Sequence, residues 1–145
     1  MIQTRKMKAA DIEQIVSLEA ESFPDPWSET SITDSMEQNF SLCLVAEDER
    51  VVVGYLIFYR NLDEGEILRI AVKSDHRRAG VGTMLLGAMR TYCEQKGIKR
   101  VLLDVRSSNK NAKKFYKKQG FAQDGMRKHF YSKPDEDAIL MSRRY

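Results

Sequence analysis

The chain has no apolar run approaching the roughly 18 residues of a membrane span. Its first residues, Met1-Ile2-Gln3-Thr4-Arg5-Lys6, lack the apolar core of a signal peptide. A cytoplasmic protein with no membrane partner is therefore expected. Cysteine is scarce: only Cys43 and Cys93 occur, without metal-ligand spacing. Histidine is as scarce, and neither His76 nor His129 stands beside a thiol in sequence. Nothing here suggests a metal centre or a His-activated cysteine nucleophile. There is no internal repeat, low-complexity tract or Ser/Gly linker, so 145 residues read as one domain, 1–145. A dominant charge is missing too. The 24 Lys+Arg against 21 Asp+Glu leave a net +3, which permits an anionic ligand without demanding nucleic acid. The densest basic stretch, Lys110, Lys113, Lys114, Lys117 and Lys118, is either a solvated helix face or a flank that attracts a phosphate-rich partner. It lacks the aromatic interleaving of single-strand nucleic-acid binders.

What is present reads as a regular alternation of elements. Ile2 to Lys6 is a short strand. Ala10 to Glu21 carries Ile12, Ile15, Val16 and Glu19 at helical spacing. Phe23-Pro24-Asp25-Pro26-Trp27 breaks that helix, and Ser28 caps a second one running to about Gln38. Leu42 to Ala46 and Val51 to Tyr59 form a hairpin, followed by a third strand over Glu66 to Val72. A long helix runs from about Gly80 to Lys96 and stops at Gly97. Val101 to Val105 is a buried strand, and Asn109 opens a helix ending at Gly120. Phe121 to Arg127 and Ala138 to Met141 are the last strands. The middle alternates as α/β units do and the ends look antiparallel, so a mixed sheet with helices on both faces is expected.

The most informative segment joins Ile70-Ala71-Val72 to Arg77-Arg78-Ala79-Gly80-Val81-Gly82-Thr83. A buried strand enters a glycine turn that opens a long helix. Helix N-termini leave N–H groups unpaired and favour anions. Glycine lets a diphosphate approach the backbone, and arginines add charged donors. The spacing is neither G-x-x-x-x-G-K-[ST] nor G-x-G-x-x-G, which disfavours a P-loop or a Rossmann site. Arg-x-x-Gly-x-Gly between strand and helix resembles the acetyl-CoA signature of the GNAT superfamily of N-acetyltransferases. That resemblance implies a single mixed, largely antiparallel sheet of about seven strands with a splayed, cofactor-binding strand pair. It implies that Ile70, Ala71 and Val72 bond the pantetheine arm, and that the segment from Arg78 to Thr83 binds the pyrophosphate, with charge from Arg77. It implies no metal.

Asp104-Val105-Arg106-Ser107-Ser108-Asn109 and Phe115-Tyr116 before Gly120-Phe121 resemble the later GNAT motif. With Pro26-Trp27-Ser28-Glu29 and Glu136-Asp137-Ala138, the chain is similar to the RimI-type ribosomal-protein-alanine N-acetyltransferases, relatives of the archaeal and eukaryotic N-terminal acetyltransferase subunits. Asn109 would contact the cofactor, a role compatible with capping a helix. Tyr116 would be the general acid for the leaving thiolate. Asp104 stands where the RimI-type enzymes carry a glutamate base. It is one methylene shorter, so it would act directly or through water. A free α-amine has a pKa of about 7.7–8.0 against about 10.4 for lysine, so roughly 10–20% is neutral at pH 7 against about 0.04%. A protein N-terminus therefore tolerates a displaced base better than lysine does. The acceptor would lie between Phe23–Glu29, with Trp27 and Glu29, and the loop carrying Tyr131. The expected reaction is acetyl transfer to a protein N-terminus, a ribosomal-protein alanine first, by a monomer or weak dimer. The alternatives are broad N-terminal or small-amine acetylation, or a non-catalytic CoA-binding domain.

Overall fold

The computed structural model describes residues 1–145. The elements are β1 (Ile2–Lys6), α1 (Ile12–Ser22), α2 (Glu29–Glu37), β2 (Ser41–Asp48), β3 (Val51–Asn61), β4 (Glu64–Val72), α3 (Val81–Lys96), β5 (Arg100–Arg106), α4 (Lys110–Lys118), β6 (Ala122–Tyr131) and β7 (Glu136–Arg144). Short 3-10 turns precede α1 and α3. The strands form one seven-stranded sheet in the order β1-β2-β3-β4-β5-β7-β6. Every neighbouring pair is antiparallel except β4 and β5. No helix is long and apolar enough to cross a membrane.

The apolar run of β3 has its cause in its position. The strand sits between β2 and β4, with Val52 through Phe58 buried. Val53, Leu56 and Phe58 pack with Leu85, Leu86 and Met89 of α3 and with Val101 and Leu103 of β5. Tyr55 and Ile57 face the other way, against Ile15 and Leu18 of α1 and Ile32 of α2. Each fully buried Leu, Ile or Phe contributes about 1.5–3 kcal/mol of transfer free energy, so these two layers hold the helices to the sheet.

The sheet is opened in its middle. β4 and β5 share only the pairs Glu64↔Arg100, Gly65↔Val101 and Glu66↔Leu102. β5 then stays with β7 as far as Arg106↔Ala138, and β4 stays with β3 as far as Val72. A one-residue bulge marks the parting: Ile57 and Phe58 pair with Arg69 and Ile67, leaving Leu68 as the extra residue. Such a bulge bends its strand and increases local twist. The result is the splayed strand pair expected from the sequence.

Candidate active site

The glycine turn lies at the open end of this gap. Gly80 is the N-cap of α3, with φ of +80°, and no side chain caps the helix. A left-handed N-cap is open to glycine without strain. A Cβ built on Gly80 would meet nothing within 4 Å, so the turn faces free space. The N–H groups of Arg78, Gly80, Val81, Gly82 and Thr83 find no acceptor in the protein, whereas Met84 N–H bonds the Gly80 carbonyl. Arg77 and Arg78 are exposed and form no ion pair. Unpaired donors, a helix dipole and free guanidinium groups suit a diphosphate. Gly82 serves a second need: a Cβ there would come within 2.9 Å of the Phe115 ring, so this glycine lets α3 and α4 approach closely.

The edge of β4 offers donors of its own. Lys73 N–H bonds the Val53 carbonyl, which fixes the alternation of the β3–β4 ladder. The peptide groups of Ile70 and Val72 then point away from β3 and into the gap, while Ala71 is spent on β3. Among the three expected strand residues, Ile70 and Val72 present backbone to a ligand.

Along β5, Val101, Leu103 and Val105 are buried against α3 and α4. Alternation sends Leu102, Asp104 and Arg106 to the opposite face. There a cavity of about 880 Å³ opens, lined among others by Tyr59, Glu66, Leu102, Asp104, Arg127 and Phe130. Tyr116, by contrast, lies in the α3/α4 layer, 6% exposed, touching Phe115 and Phe121 edge-on. The two expected catalytic groups thus flank the gap from opposite faces. The Tyr116 hydroxyl has no hydrogen-bond partner, yet no buried side-chain N or O is left without one. Its oxygen must therefore keep an accessible edge. Burial, and then the Asp104 carboxylate, push its pKa well above that of a free phenol, so it holds its proton.

Tyr131 is brought directly onto Asp104, donating to Oδ1 at 2.5 Å. Burial and this bond raise the Tyr131 pKa. β6 slips register between Arg127 and Tyr131, with His129 at φ 53°, and this irregularity aims the tyrosine inward. Arg106 lies 4.4 Å over the Tyr131 ring and ties both acceptor-side loops together. It pairs with Asp25 at 3.6 Å and with Glu136 at 3.3 Å, and it donates to the Pro134 carbonyl. Glu136 also accepts from Ser108 N–H at 2.6 Å, and these bonds hold its carboxyl down at about 2. Asn109 caps α4 by accepting from Ala112 N–H, which leaves its NH₂ free.

The other acceptor-side residues divide. Trp27 is half-buried, packed against the α1/α2 layer, and its ring lies 5.4 Å from the Arg69 guanidinium. Glu29 begins α2, exposed and without a hydrogen bond, and it does not line the cavity. A group the sequence did not single out is the buried knot at Glu19, which is fully buried. It accepts from the Tyr55 hydroxyl, from Trp27 N–H at 2.6 Å, and from Arg69 Nε and Nη2 at 3.0 and 2.6 Å. Arg69 also reaches the Asp25 carbonyl and stacks on Phe23 at 3.8 Å. Glu19 and Arg69 are separated by 50 positions, and only the break in helical polarity at Glu19 hinted at this.

Comparison with known proteins agrees with this geometry. The model of the "Acetyltransferase (GNAT) family" matches residues 12–121. A Bacillus subtilis protein named as a putative [ribosomal protein bS18]-alanine N-acetyltransferase is 33% identical over 94% of this chain and 91% of its own length. The crystal structure of the Escherichia coli ribosomal-protein-S18-alanine N-acetyltransferase superposes with a TM-score of 0.90 at 27% identity, covering 99% of this chain and 94% of that one. Ard1 from Thermoplasma volcanium gives 0.92 at 29% identity, over 99% and 97%. With an opened sheet, a donor-lined helix start and a family match across most of its length, the chain belongs to the GNAT acetyltransferases.

Proposed function

We propose that this enzyme moves the acetyl group of acetyl-CoA to the N-terminal α-amine of a protein, and we assign the N-terminal alanine of a small-subunit ribosomal protein as its substrate. The observation that carries this reading is the placement of Asp104 and Tyr116 on opposite faces of the β4–β5 gap. The amine adds to one face of the thioester carbonyl and the thiolate leaves by a different bond of the tetrahedral carbon, so a base and an acid are needed at two separate positions. The names of the relatives support the substrate.

Acetyl-CoA supplies the activated thioester; this chain supplies the rest. The free N–H groups of Arg78 and of Gly80 to Thr83, with the Arg77 and Arg78 side chains, fit its diphosphate, and the unpaired Asn109 amide at the start of α4 is a further donor. The gap-facing peptide groups of Ile70 and Val72 fit an amide-bearing arm, and Val72 N–H polarises the carbonyl. Asp104, oriented by Tyr131, accepts the amine proton, directly or through water. Tyr116 protonates sulfur. Trp27 and Tyr131 border the path of the peptide, and Glu29, exposed at the start of α2, would reach only its outer part. An enzyme of this kind is cytoplasmic, one domain over 1–145, a monomer or weak dimer, and needs neither nucleic acid nor membrane.

The test is mass spectrometry of a peptide panel after incubation with acetyl-CoA. Acetylation at the α-amine of Ala-initiated peptides is expected. Turnover of polyamines with no peptide modified would overturn the assignment.

A further inference from the structure

The turn that leads into α3 is loosely held by its own backbone. Ser74 to His76 form a 3-10 turn, and Arg77 then leaves it in extended geometry. Arg77 N–H reaches the Ser74 carbonyl at 3.5 Å and Ala79 N–H reaches the His76 carbonyl at 3.3 Å, both long for such bonds. Arg77, Arg78, Ala79 and Gly80 are all exposed. The firmer attachment is the His76 ring, whose side chain is 24% exposed. Its Nδ1 lies 2.7 Å from Asp75 Oδ1, and its Nε2 lies 3.1 Å from Asp48 Oδ2. Asp75 belongs to the same turn, whereas Asp48 ends β2 at the β2–β3 hairpin. The ring thereby pins the segment carrying the phosphate donors to the sheet.

A neutral imidazole has one N–H and one lone pair. Between two carboxylates it donates to one and turns its lone pair on the other. Only the imidazolium donates to both. The surrounding charges are mixed. On its own turn the ring meets Asp75, which Lys73 also faces. On the hairpin it meets Asp48, with Glu49 next in the chain. From β1 the Met1 amine reaches Asp48 Oδ1 and Glu49 Oε1, each at 3.3 Å. Arg77 and Arg78 follow the ring in sequence. The two contacting carboxylates prevail: the Asp75 bond, and then the Asp48 bond, raise the His76 pKa above its ordinary 6.5.

We propose that His76 is a positioning residue for acetyl-CoA: protonated, it fastens the phosphate turn to the β2–β3 hairpin, and cofactor affinity is highest in that state. The inference rests on the acetyl-CoA reading given under Proposed function and is independent of the acceptor. A fixed turn presents the N–H groups of Arg78 and of Gly80 to Thr83 with less ordering left to occur on binding. The imidazolium also adds a positive charge one residue before Arg77, which favours a diphosphate. Deprotonation forfeits one of the two bonds, and the longer one, to Asp48, is the one that reaches the hairpin. His76 is charged below its pKa, so affinity is full on the acid side and declines as pH rises through a midpoint above 6.5. By linkage, bound acetyl-CoA raises the His76 pKa through the same coupling.

The experiment titrates acetyl-CoA, without peptide, into wild type and His76→Gln across about pH 5.5–9 by calorimetry. Dividing the variant's Kd by that of wild type cancels ionisation of the cofactor itself. The quotient is expected to be largest at acid pH and to fall by roughly fivefold or more across the range. Asp48→Asn keeps an acceptor and removes a charge, so it should move the wild-type midpoint to lower pH. Proton NMR of the imidazole Cε1–H reads the coupling in wild type alone, whatever the variants do to the fold. His129 is the only other histidine and serves as the internal control. The His76 pKa should rise on saturation with acetyl-CoA while that of His129 stays in place. A quotient constant within twofold at every pH marks a purely structural ring and overturns the proposal, as does a His76 pKa that acetyl-CoA leaves unmoved. A wild type that binds acetyl-CoA at no pH overturns the cofactor reading instead, and His76 falls with it.

Discussion

Replacing Glu19 by alanine should damage both stability and acceptor binding. The carboxylate is fully buried and accepts from Tyr55, Arg69 and Trp27. Its removal leaves the Arg69 side chain, only 11% exposed, with no counter-charge, and strands the buried Tyr55 hydroxyl. Breaking a buried pair from one side typically destabilises by about 3–5 kcal/mol. At roughly 3 °C per kcal/mol for a chain of this size, the melting temperature should fall by about 9–15 °C. Removing the whole knot is different. In Glu19→Leu/Tyr55→Phe/Arg69→Met no charge is stranded, and most of the loss should return because apolar replacements of similar volume are often neutral. The loop from Phe23 to Trp27 is held through Trp27 N–H, the Asp25 carbonyl and the Phe23 ring, so both variants should raise KM for the peptide and leave KM for acetyl-CoA unchanged. Thermal and urea unfolding with two-substrate kinetics would measure this. A Glu19→Ala protein within about 1 kcal/mol of wild type, or a triple variant no more stable than the single, would refute the reasoning.

Tyr116→Phe should lower kcat by roughly 10²–10⁴ without lowering the melting temperature, since the hydroxyl bonds nothing in the fold; single-turnover rates and calorimetry check the two halves. Gly80→Ala forces an L-residue to φ +80° and should destabilise by about 1 kcal/mol while weakening acetyl-CoA binding at the turn, read by urea unfolding and by titration. Glu136 has its carboxyl depressed from 4.5 to about 2, so its support is complete above pH 4.5 and fades as pH falls toward 2. The melting deficit of Glu136→Gln should accordingly be full at neutral pH and close on acidification through that window, as a series of melts would show.

Features legible in the sequence were those with a local cause. The α3 turn announces itself by glycine and arginine spacing within a few residues, and β3 by an apolar run that only a central strand can bury. Asn109 and Gly97 stand where caps are needed and act as caps. Features that depend on distant packing were hidden. Nothing adjacent in sequence says that Tyr131 will close on Asp104, because a register slip in β6 brings them together. Glu19 reads as one more helical position until Arg69 arrives from β4. Glu29, named from motif resemblance, stands exposed at the start of α2 without a partner, which shows how a motif places a residue near a site without giving it a contact.

The short ladder between β4 and β5 also makes the sheet a hinged object. Two leaves, β1 to β4 and β5 with β7 and β6, are stitched by three residue pairs at one end. Beyond them, side-chain packing of α3 and α4 and the Arg106–Asp25 ion pair resist opening. A ligand lying along the gap would tie the leaves where the chain does not, so its binding is felt as stiffness as well as occupancy. Amide exchange in the outer half of β4 and β5 should slow on addition of acetyl-CoA, while exchange in β2 and β3 stays nearly constant. The enzyme would then become a single mechanical body only while it is loaded.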